Sequence, residues 1–313
     1  MKTPQFTRPP GFSTHSNLSA ADIWIFRSRR SLRVSWRFLR KWPVFPSLVL
    51  GALLISALFA NWIAPHDPYA ANLRARLDPP AWDSEGSFTN LLGVDHLGRD
   101  VFSRVIHGAS VSLVITVVVI SVSGVIGTIL GMIAGYYGGL TDEFILRLVE
   151  MTISIPLLLI AMIATMAFGS SLQLLITVLA LFSWPGFTRQ VRAEVLRLRN
   201  MEYVQMSKVC GASTSRIFAR HLLPNIVNTV IVLATLLVGS LILTESILSF
   251  LGAGVPPPRP AWGSMVSEGR DFLSNAWWIA TFPGLAIVIT VLGFNFLGDW
   301  LRDFFDPRLR QIR

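Results

Sequence analysis

Long apolar stretches, separated by shorter polar ones, dominate the pattern of the chain. A helix of about 20 uncharged residues is long enough to cross the hydrocarbon core of a bilayer. Six stretches are candidates: Val44–Ile63, Ser110–Tyr137, Met151–Phe168, Ser170–Thr188, Ile226–Leu251, which Glu245 interrupts, and Phe272–Leu297. The first begins too late and runs too long for a cleaved signal peptide, and five more follow it. The pattern therefore predicts an all-α polytopic membrane protein with six transmembrane helices.

The composition agrees with this prediction. Of the 313 residues, 52% are hydrophobic and only 14% are charged, whereas a soluble domain carries about 25% charged residues. This deficit excludes an ordinary cytosolic enzyme, a disordered chain and a nucleic-acid-binding protein. The single cysteine, Cys210, excludes an intrachain disulfide, and the five histidines show no metal-ligand spacing. Lysines occur only at positions 2, 41 and 208, and none follows a Gly-rich loop, so the sequence contains no nucleotide-binding P-loop.

The positions of the basic residues predict the orientation of the chain in the membrane. If the N-terminus is cytoplasmic, the cytoplasmic parts hold 21 of the 27 lysine and arginine residues. These parts are residues 1–43, 138–150, 189–225 and 298–313. The two external loops, 64–109 and 252–271, hold the other six. Because cytoplasmic loops carry an excess of basic residues, both termini are predicted to be cytoplasmic, and the net charge of +9 reflects topology.

The cytoplasmic segment 189–225 predicts two short amphipathic helices that meet at Gly211. Glycine suits the left-handed residue that ends a helix, and Ser213 is placed to cap the next one. Pro224 is expected to end the second helix and to begin the fifth span. The expected apolar positions are Leu198, Met201, Val204 and Cys210 in the first helix, and Ile217, Phe218 and Leu222 in the second. Such a pair, tethered on both sides to membrane helices, either docks on a partner protein or lies on anionic lipid.

Several polar or small residues near the spans carry further expectations. Asp95 and Arg99, and likewise Asp100 and Arg104, are spaced to form i,i+4 ion pairs on a short interfacial helix, where each pair is worth a few tenths of a kcal/mol. Glu245 is the acidic residue inside a span, and it faces either a translocation path or a packed interior. Three glycines, Gly127, Gly131 and Gly135, are spaced to form one helix face for close packing. Pro156 and Pro283 are expected to kink their spans. The mixed-charge tail is expected either to form salt bridges with the 189–225 loop or to be solvated, and it contains Asp299, Arg302, Asp303, Asp306 and Arg308.

Four motifs resemble the dipeptide/oligopeptide/nickel permease family of binding-protein-dependent ABC importers. The first is the EAA loop, matched by Gln205, Met206, Ser207, Gly211, Leu223 and Pro224, although Gln-Met-Ser stands where the motif reads Glu-Ala-Ala. The others are LGVDHLGRDVFSRVIHGASVSL (Leu92 to Leu113), SFLGAGVPPPRPAWGSMVSEGR (Ser249 to Arg270) and GDWLRDFFDPRLR (Gly298 to Arg310). Ala109 replaces an arginine of the family pattern. The four motifs occur in order and cover most of residues 90–313.

The resemblance implies the MetI-like ABC importer permease fold and a division of the chain into functional parts. These parts are a basic, partly disordered cytoplasmic tail (1–43), a first transmembrane helix (44–63), an external loop (64–109), a core permease domain (110–300) with the coupling loop 189–225 and the external loop 252–271, and a cytoplasmic tail (301–313). It also implies a C-type permease in a bacterial plasma membrane, paired with a B-type permease, two ABC ATPases and an external substrate-binding protein. No cofactor is expected in this chain, since ATP and Mg belong to the ATPases.

The resemblance also assigns site residues. The expected ATPase-coupling residues are Glu202, Tyr203, Gln205, Met206, Ser207, Gly211, Ala212, Ser213 and Pro224. The translocation path or gate is expected to include Glu245, Pro283 and Asn295, and binding-protein docking to involve Asp95, Arg99, Asp100, Arg104 and Trp262. The expected substrates are di- or oligopeptides, with nickel chelates, glutathione or opine-like compounds as the alternative.

Two functions of other classes make different demands on the sequence. A membrane-embedded enzyme requires convergent catalytic groups, but the chain has no G-x-S-x-G, no HExxH and no second acid inside a span. A self-contained channel or secondary carrier favours several ionisable groups inside the spans and inverted repeats. A single acid inside a span, together with a large cytoplasmic loop, argues against it.

Overall fold

A computed structural model describes residues 43–305, and these residues are helical, with one isolated β-bridge between Val94 and Asp100. The tail at 1–42, with its expected disorder, and residues 306–313, with Asp306 and Arg308, lie outside the described residues. The helices are α1 (Val44–Leu58), α2 (Ala60–Ile63), α3 (Val101–Tyr137), α4 (Gly139–Ser154), α5 (Leu157–Phe168), α6 (Leu172–Leu198), α7 (Glu202–Val209), α8 (Thr214–Ile217), α9 (Leu223–Phe250), α10 (Trp262–Arg270) and α11 (Trp278–Phe305).

Within the described part, four helices are long and apolar enough to cross a membrane, or five if a bent pair counts as one. The four are α3, α6, the continuous helix Thr214–Phe250 that contains α8 and α9, and α11; the bent pair is α4 and α5. The remaining apolar helix, α1, has 15 residues. This set is consistent with six spans.

Several helix boundaries differ from the prediction; the sixth span, for example, begins at Trp278 and not at Phe272, and it runs to Phe305. The second span begins at Val101 and not at Ser110, because the Asp100 carboxylate caps a helix that starts outside the apolar stretch. The predicted connection 138–150 is the helix α4. The fourth span continues past Thr188 to Leu198, since charged residues remain compatible with a helix once it has left the apolar layer.

Proline acts differently at its two predicted kinks. At Pro156 the third predicted span breaks, and α4 and α5 meet at an angle of 74°. Helix α11, in contrast, continues through Pro283, which is buried in its second turn. Pro156 therefore confirms the expected kink, whereas at Pro283 the helix is not interrupted.

The glycine face of α3 packs closely on α6, and the predicted close helix contact is confirmed. A Cβ atom at Gly127 would lie 2.5 Å from Cβ of Phe187, and one at Gly131 would lie 2.8 Å from the Thr188 carbonyl oxygen. A Cβ atom at Gly135 would lie 2.8 Å from Cβ of Val195. Because glycine lacks this atom, α3 and α6 pack backbone against backbone along the membrane. This contact makes α6 a firm support for the cytoplasmic segment that follows it.

Candidate functional site

The hairpin, which we define as residues 199–222 and which is predicted to be cytoplasmic, consists of α7, a turn at Gly211, α8 and one π-helical turn. Val204 on α7 is fully buried against the membrane helices. The Gln205 side chain donates to the Arg199 carbonyl (2.7 Å), and Ser207 Oγ lies 3.0 Å from His221 Nε2. These contacts fix α7 both to the end of α6 and to the π-helical turn that contains His221.

Gly211 reverses the chain between the two helices. Its φ of +78° is one that L side chains rarely adopt. The amides of Gly211 and Ala212 donate to the Lys208 and Ser207 carbonyls at 2.9 and 3.0 Å, which satisfies the last turn of α7. The predicted junction is therefore confirmed. The predicted cap is not, because the Ser213 hydroxyl contacts Ser215 Oγ (3.2 Å) and makes no bond to a helix amide.

A buried cluster joins the hairpin to the membrane helices. Ile217 and Leu222 are buried with Val204 against α3 and α6, with Met132, Val191, Val195, Leu198 and Ile226. The Tyr136 ring at the end of α3 packs edge-on against the Phe218 ring, with the ring centroids 5.1 Å apart. Lys208 Nζ lies 4.6 Å from the centroid of the Tyr136 ring. The hairpin is thus a rigid extension of α3 and α6.

Pro224 lies inside a continuous helix and does not end it. The segment Phe218–Leu222 forms a π-helical turn, and Pro224 sits in the first turn of α9. The wider turn accommodates a residue that has no N–H to donate. The expectation that the helix stops at Pro224 is therefore wrong, and the hairpin leads directly into the fifth span.

The outward face of the hairpin carries exposed apolar side chains. Met206 is 64% exposed and Val209 is 83% exposed, and Tyr203 and Cys210 are exposed beside them. Met201 and Cys210, predicted on the buried face, are both exposed, because Met201 precedes the first residue of α7 and Cys210 follows its last residue, Val209. An apolar patch on a polar hairpin is typical of a protein contact.

A buried ion cluster stands on the opposite side of the membrane helices. The Asp95 carboxylate accepts from Arg99 Nε at 2.6 Å and from Arg104, and Arg99 Nη2 also donates to Glu268 at 2.7 Å. Arg104 lies 3.0 Å from the same Glu268 oxygen. The cluster connects the loop before α3 to helix α10, because Glu268 of α10 lies 164 residues after Arg104 in the sequence.

The predicted ion pair between Asp95 and Arg99 is confirmed, but three other expectations about these charges are wrong. Residues 95–100 form a tight turn and no helix, and Asp100 caps α3 through the Ser103 amide (2.8 Å) instead of pairing with Arg104. The Asp95 and Arg104 side chains are 1% exposed, so the pairs are not solvated. The sequence reasoning missed Glu268, although it lies in the EGR segment of the third quoted motif.

The pKa of Asp95 lies below its ordinary value. Burial acts to raise it, but the Arg99 backbone N–H and the charges of Arg104 and Arg99 outweigh burial and lower it. Ligand atoms of Asp95, His96 and Glu268 lie within 4.8 Å of one another. Both carboxylates already bind guanidinium groups, so this group is poorly suited to a metal ion.

Trp262 of α10 also stabilises the contact between α10 and the beginning of α3. Its Nε1 donates to the Val105 carbonyl (2.9 Å), and its ring lies where a Cβ atom at Gly108 would stand. Like Asp95, Arg99, Asp100 and Arg104, Trp262 is buried. These five side chains hold the external loop and α10 together, and do not themselves form an accessible surface.

The three predicted gate residues lie on two helices, Glu245 on α9 and both Pro283 and Asn295 on α11. Glu245 is buried in α9, where one carboxylate oxygen accepts from Ser249 Oγ (2.7 Å); Ser249 Oγ in turn accepts from the Val255 amide (3.3 Å). The second oxygen of Glu245 has no partner among the described residues. Asn295 is exposed on α11 beside Gly239. Glu245 thus braces the external loop after α9, while Asn295 and Pro283 belong to a different helix.

The end of α11 borders a cytoplasmic cleft of about 550 Å³, which Arg302 and Phe305 line together with Glu194 and Asn225. Among the described residues, Asp299, Arg302 and Asp303 form no ion pair with the hairpin. Glu194 pairs with Arg197 instead. The predicted salt bridges between tail and loop are therefore not found within residues 43–305.

Comparisons with known proteins agree with this geometry. A family model described as "binding-protein-dependent transport system inner membrane component" matches residues 127–311. The chain is 43% identical over 282 residues to the dipeptide transport system permease protein DppC of Escherichia coli K12, covering 90% of this chain and 94% of that protein. It is 40% identical over 264 residues to the di/tripeptide transport system permease protein DppC of Pseudomonas aeruginosa, covering 84% and 87%.

The fold is similar to that of a solved transporter chain. A chain of the inward-facing MetNI methionine ABC transporter superposes with a TM-score of 0.54 at 20% identity. The match covers 66% of this chain and 98% of that chain. This likeness shows the MetI-like fold that the sequence predicts.

Proposed function

Since the chain belongs to the binding-protein-dependent transport system inner membrane components, a family of multi-pass permeases in bacterial ABC transporters, we propose that it is the C-type permease of a peptide importer. Its cytoplasmic hairpin couples transport to partner ATPases. The relatives named as dipeptide and di/tripeptide permeases support peptides as the substrate class. The observation that carries the coupling role is the rigid hairpin with its exposed apolar face.

Transport by alternating access requires a ligand or partner that binds two states of the pore with different affinity. The hairpin transmits such a bias because its inner face is buried on α3 and α6, while Met206 and Val209 remain free to bind a partner. A shift of the hairpin therefore moves the tightly packed α3–α6 pair as a unit. The ATPase binds and hydrolyses ATP with Mg, and the hairpin of this chain transmits the resulting movement to the membrane helices.

The remaining partners follow from the proposed assembly. A second, B-type permease completes the path, two ATPases grip the two cytoplasmic hairpins, and an external binding protein delivers the peptide. Both termini are cytoplasmic in this proposal, which places the Arg-rich hairpin on the side where ATP is. The excess of basic residues in the same segments supports that orientation.

The coupling role is tested by charging the outward face. Met206→Glu and Val209→Glu place a carboxylate in the proposed interface, where burying an unpaired charge is costly. Leu140→Glu is a matched control, because Leu140 is 85% exposed on α4, on the same predicted side but outside the hairpin. The complex of both permeases, ATPases and binding protein is reconstituted in liposomes, and ATP-dependent peptide uptake is measured.

We expect the two hairpin variants to lose ATPase co-purification and to lower uptake at least tenfold, whereas Leu140→Glu retains both. Equal uptake by all three variants contradicts the coupling role. ATP-dependent uptake of a nickel chelate, glutathione or an opine, but not of peptides, by the wild-type complex contradicts the substrate class alone.

A further inference from the structure

A cavity of about 300 Å³ lies between α6, α9 and the break that separates α4 from α5. Ile153 and Leu157 line it on either side of that break. Its volume is at the lower end of the range for sites that hold small molecules. Apart from Ile120 and Arg189, its lining residues belong to the third, fourth and fifth predicted spans, so the cavity lies among helices that are expected to cross the membrane.

Arg189 is the cationic side chain of this cavity, and it has no ion-pair or hydrogen-bond partner within residues 43–305. The other arginines at this end of α6 behave differently. Arg192 binds Asp142 through two hydrogen bonds (2.5 and 2.6 Å), Arg197 pairs with Glu194, and Arg199 donates to the Gly135 carbonyl (2.9 Å). An exposed, unpartnered guanidinium that lines a cavity is suited to bind an anionic group, bidentate if it is a carboxylate.

Three hydroxyl groups line the same cavity, and each donates its proton inside its own helix. Ser183 donates to the Leu179 carbonyl (2.7 Å), and Ser240 donates to the Leu237 carbonyl (2.9 Å). Thr244 donates to the backbone carbonyl of Ser240 (2.7 Å). A hydroxyl oxygen whose proton is used in this way still offers lone pairs. The cavity therefore presents hydroxyl oxygens that accept from N–H groups, together with the Arg189 guanidinium, which donates to an anion.

We propose that this cavity is a transit site for a zwitterionic substrate. The Arg189 guanidinium binds the substrate carboxylate, and the oxygens of Ser183, Ser240 and Thr244 accept from its ammonium or amide N–H groups. The proposal rests on the proposed function, because a short peptide carries both kinds of group. The apolar remainder of the lining, such as Ile120 and Leu241, places no demand on the side chain of the peptide.

A lipid phosphate offers the same anionic chemistry to Arg189, whose side chain is exposed and long enough to reach the interface. The two sources predict different results. A substrate contact affects uptake in every lipid, whereas a lipid contact affects uptake only where that lipid is present. The test therefore uses vesicles of phosphatidylcholine alone and vesicles that also contain phosphatidylglycerol.

The experiment compares Arg189→Gln and Arg189→Lys with Arg147→Gln in the full reconstituted complex. Arg147 is a matched control, since it is an exposed arginine on α4 outside the cavity. Peptide uptake and ATP hydrolysis stimulated by the binding protein are measured together. We expect Arg189→Gln to lower uptake per ATP hydrolysed about tenfold in both vesicles, Arg189→Lys to restore part of it, and Arg147→Gln to match the wild type.

Thr244→Val keeps the shape of the side chain and removes one acceptor, so it tests the site even if Arg189→Gln fails to assemble. It is expected to lower uptake per ATP a few-fold. Wild-type coupling in Thr244→Val together with wild-type coupling in an assembled Arg189→Gln complex overturns the proposal, as does a loss confined to vesicles with phosphatidylglycerol. If the wild-type complex itself shows no ATP-dependent peptide uptake, the proposed function fails instead.

Discussion

Replacing Arg104 by Met is expected to destabilise the protein far more than its place near an external loop would indicate. The change removes one of the two guanidinium groups that Asp95 and Glu268 share, and Arg99 is the other. Asp95 and Arg104 are each 1% exposed, so two carboxylates, one of them fully buried, are left with Arg99 as their one remaining cation. Breaking one partner of a buried pair costs about 3–5 kcal/mol. An exposed pair is worth only about 0–1 kcal/mol.

The assay is thermal unfolding of the detergent-solubilised protein, followed by circular dichroism. We expect Arg104→Met to lower the midpoint by roughly 10 °C, given a few degrees per kcal/mol in proteins of this size. Arg270→Gln is the control, because Arg270 forms an exposed pair with Asp271 (3.2 Å). A midpoint change in Arg104→Met as small as that in Arg270→Gln refutes the conclusion that the cluster is a buried brace.

Three further predictions concern packing, a single hydrogen bond and pH. Gly127→Ala is expected to lower the thermal midpoint and Gly124→Ala to leave it nearly unchanged, because a Cβ atom would lie 2.5 Å from Phe187 at the first position and 3.6 Å at the second. Trp262→Phe removes the bond to the Val105 carbonyl, and it should cost about 1 kcal/mol in the same melt. The folded-state pKa of Asp95 is lowered from 3.8, so its stabilisation is present above that pH and is lost as the pH falls through the folded value. The midpoint difference between wild type and Asp95→Asn should therefore stay constant down to pH 3.8 and shrink only below it.

Apolar patterning predicted most of the fold because a bilayer allows few solutions. The backbone must satisfy its own hydrogen bonds in lipid, so a long apolar stretch implies a helix. Small-residue spacing also predicted that α3 packs closely on another helix, since close approach depends on Gly127, Gly131 and Gly135 themselves, but it did not identify α6 as the partner. The helix ends were harder, because Asp100 and the residues after Thr188 are polar and extend helices beyond the apolar layer.

The sites were predictable only where the determining residues are neighbours in sequence. Gly211 marked the hairpin turn correctly because a left-handed residue is a local requirement. The partner of Arg104 could not be found by i,i+4 spacing, since Glu268 reaches it only through the fold. Likewise, nothing local distinguishes Arg189 from Arg192; the difference is that Asp142 on α4 lies beside one of them.

The native cysteine offers the most direct test of the coupling role. Cys210 is the only cysteine of the chain and is exposed beside the outward face of the hairpin. In the assembled complex, a photoactivatable maleimide on Cys210 is predicted to form an adduct with the ATPase subunit, and Cys210→Ser to abolish it. Cys210 should also be protected from a plain maleimide when the ATPase is bound. Equal labelling with and without the ATPase, and no adduct, would contradict the account.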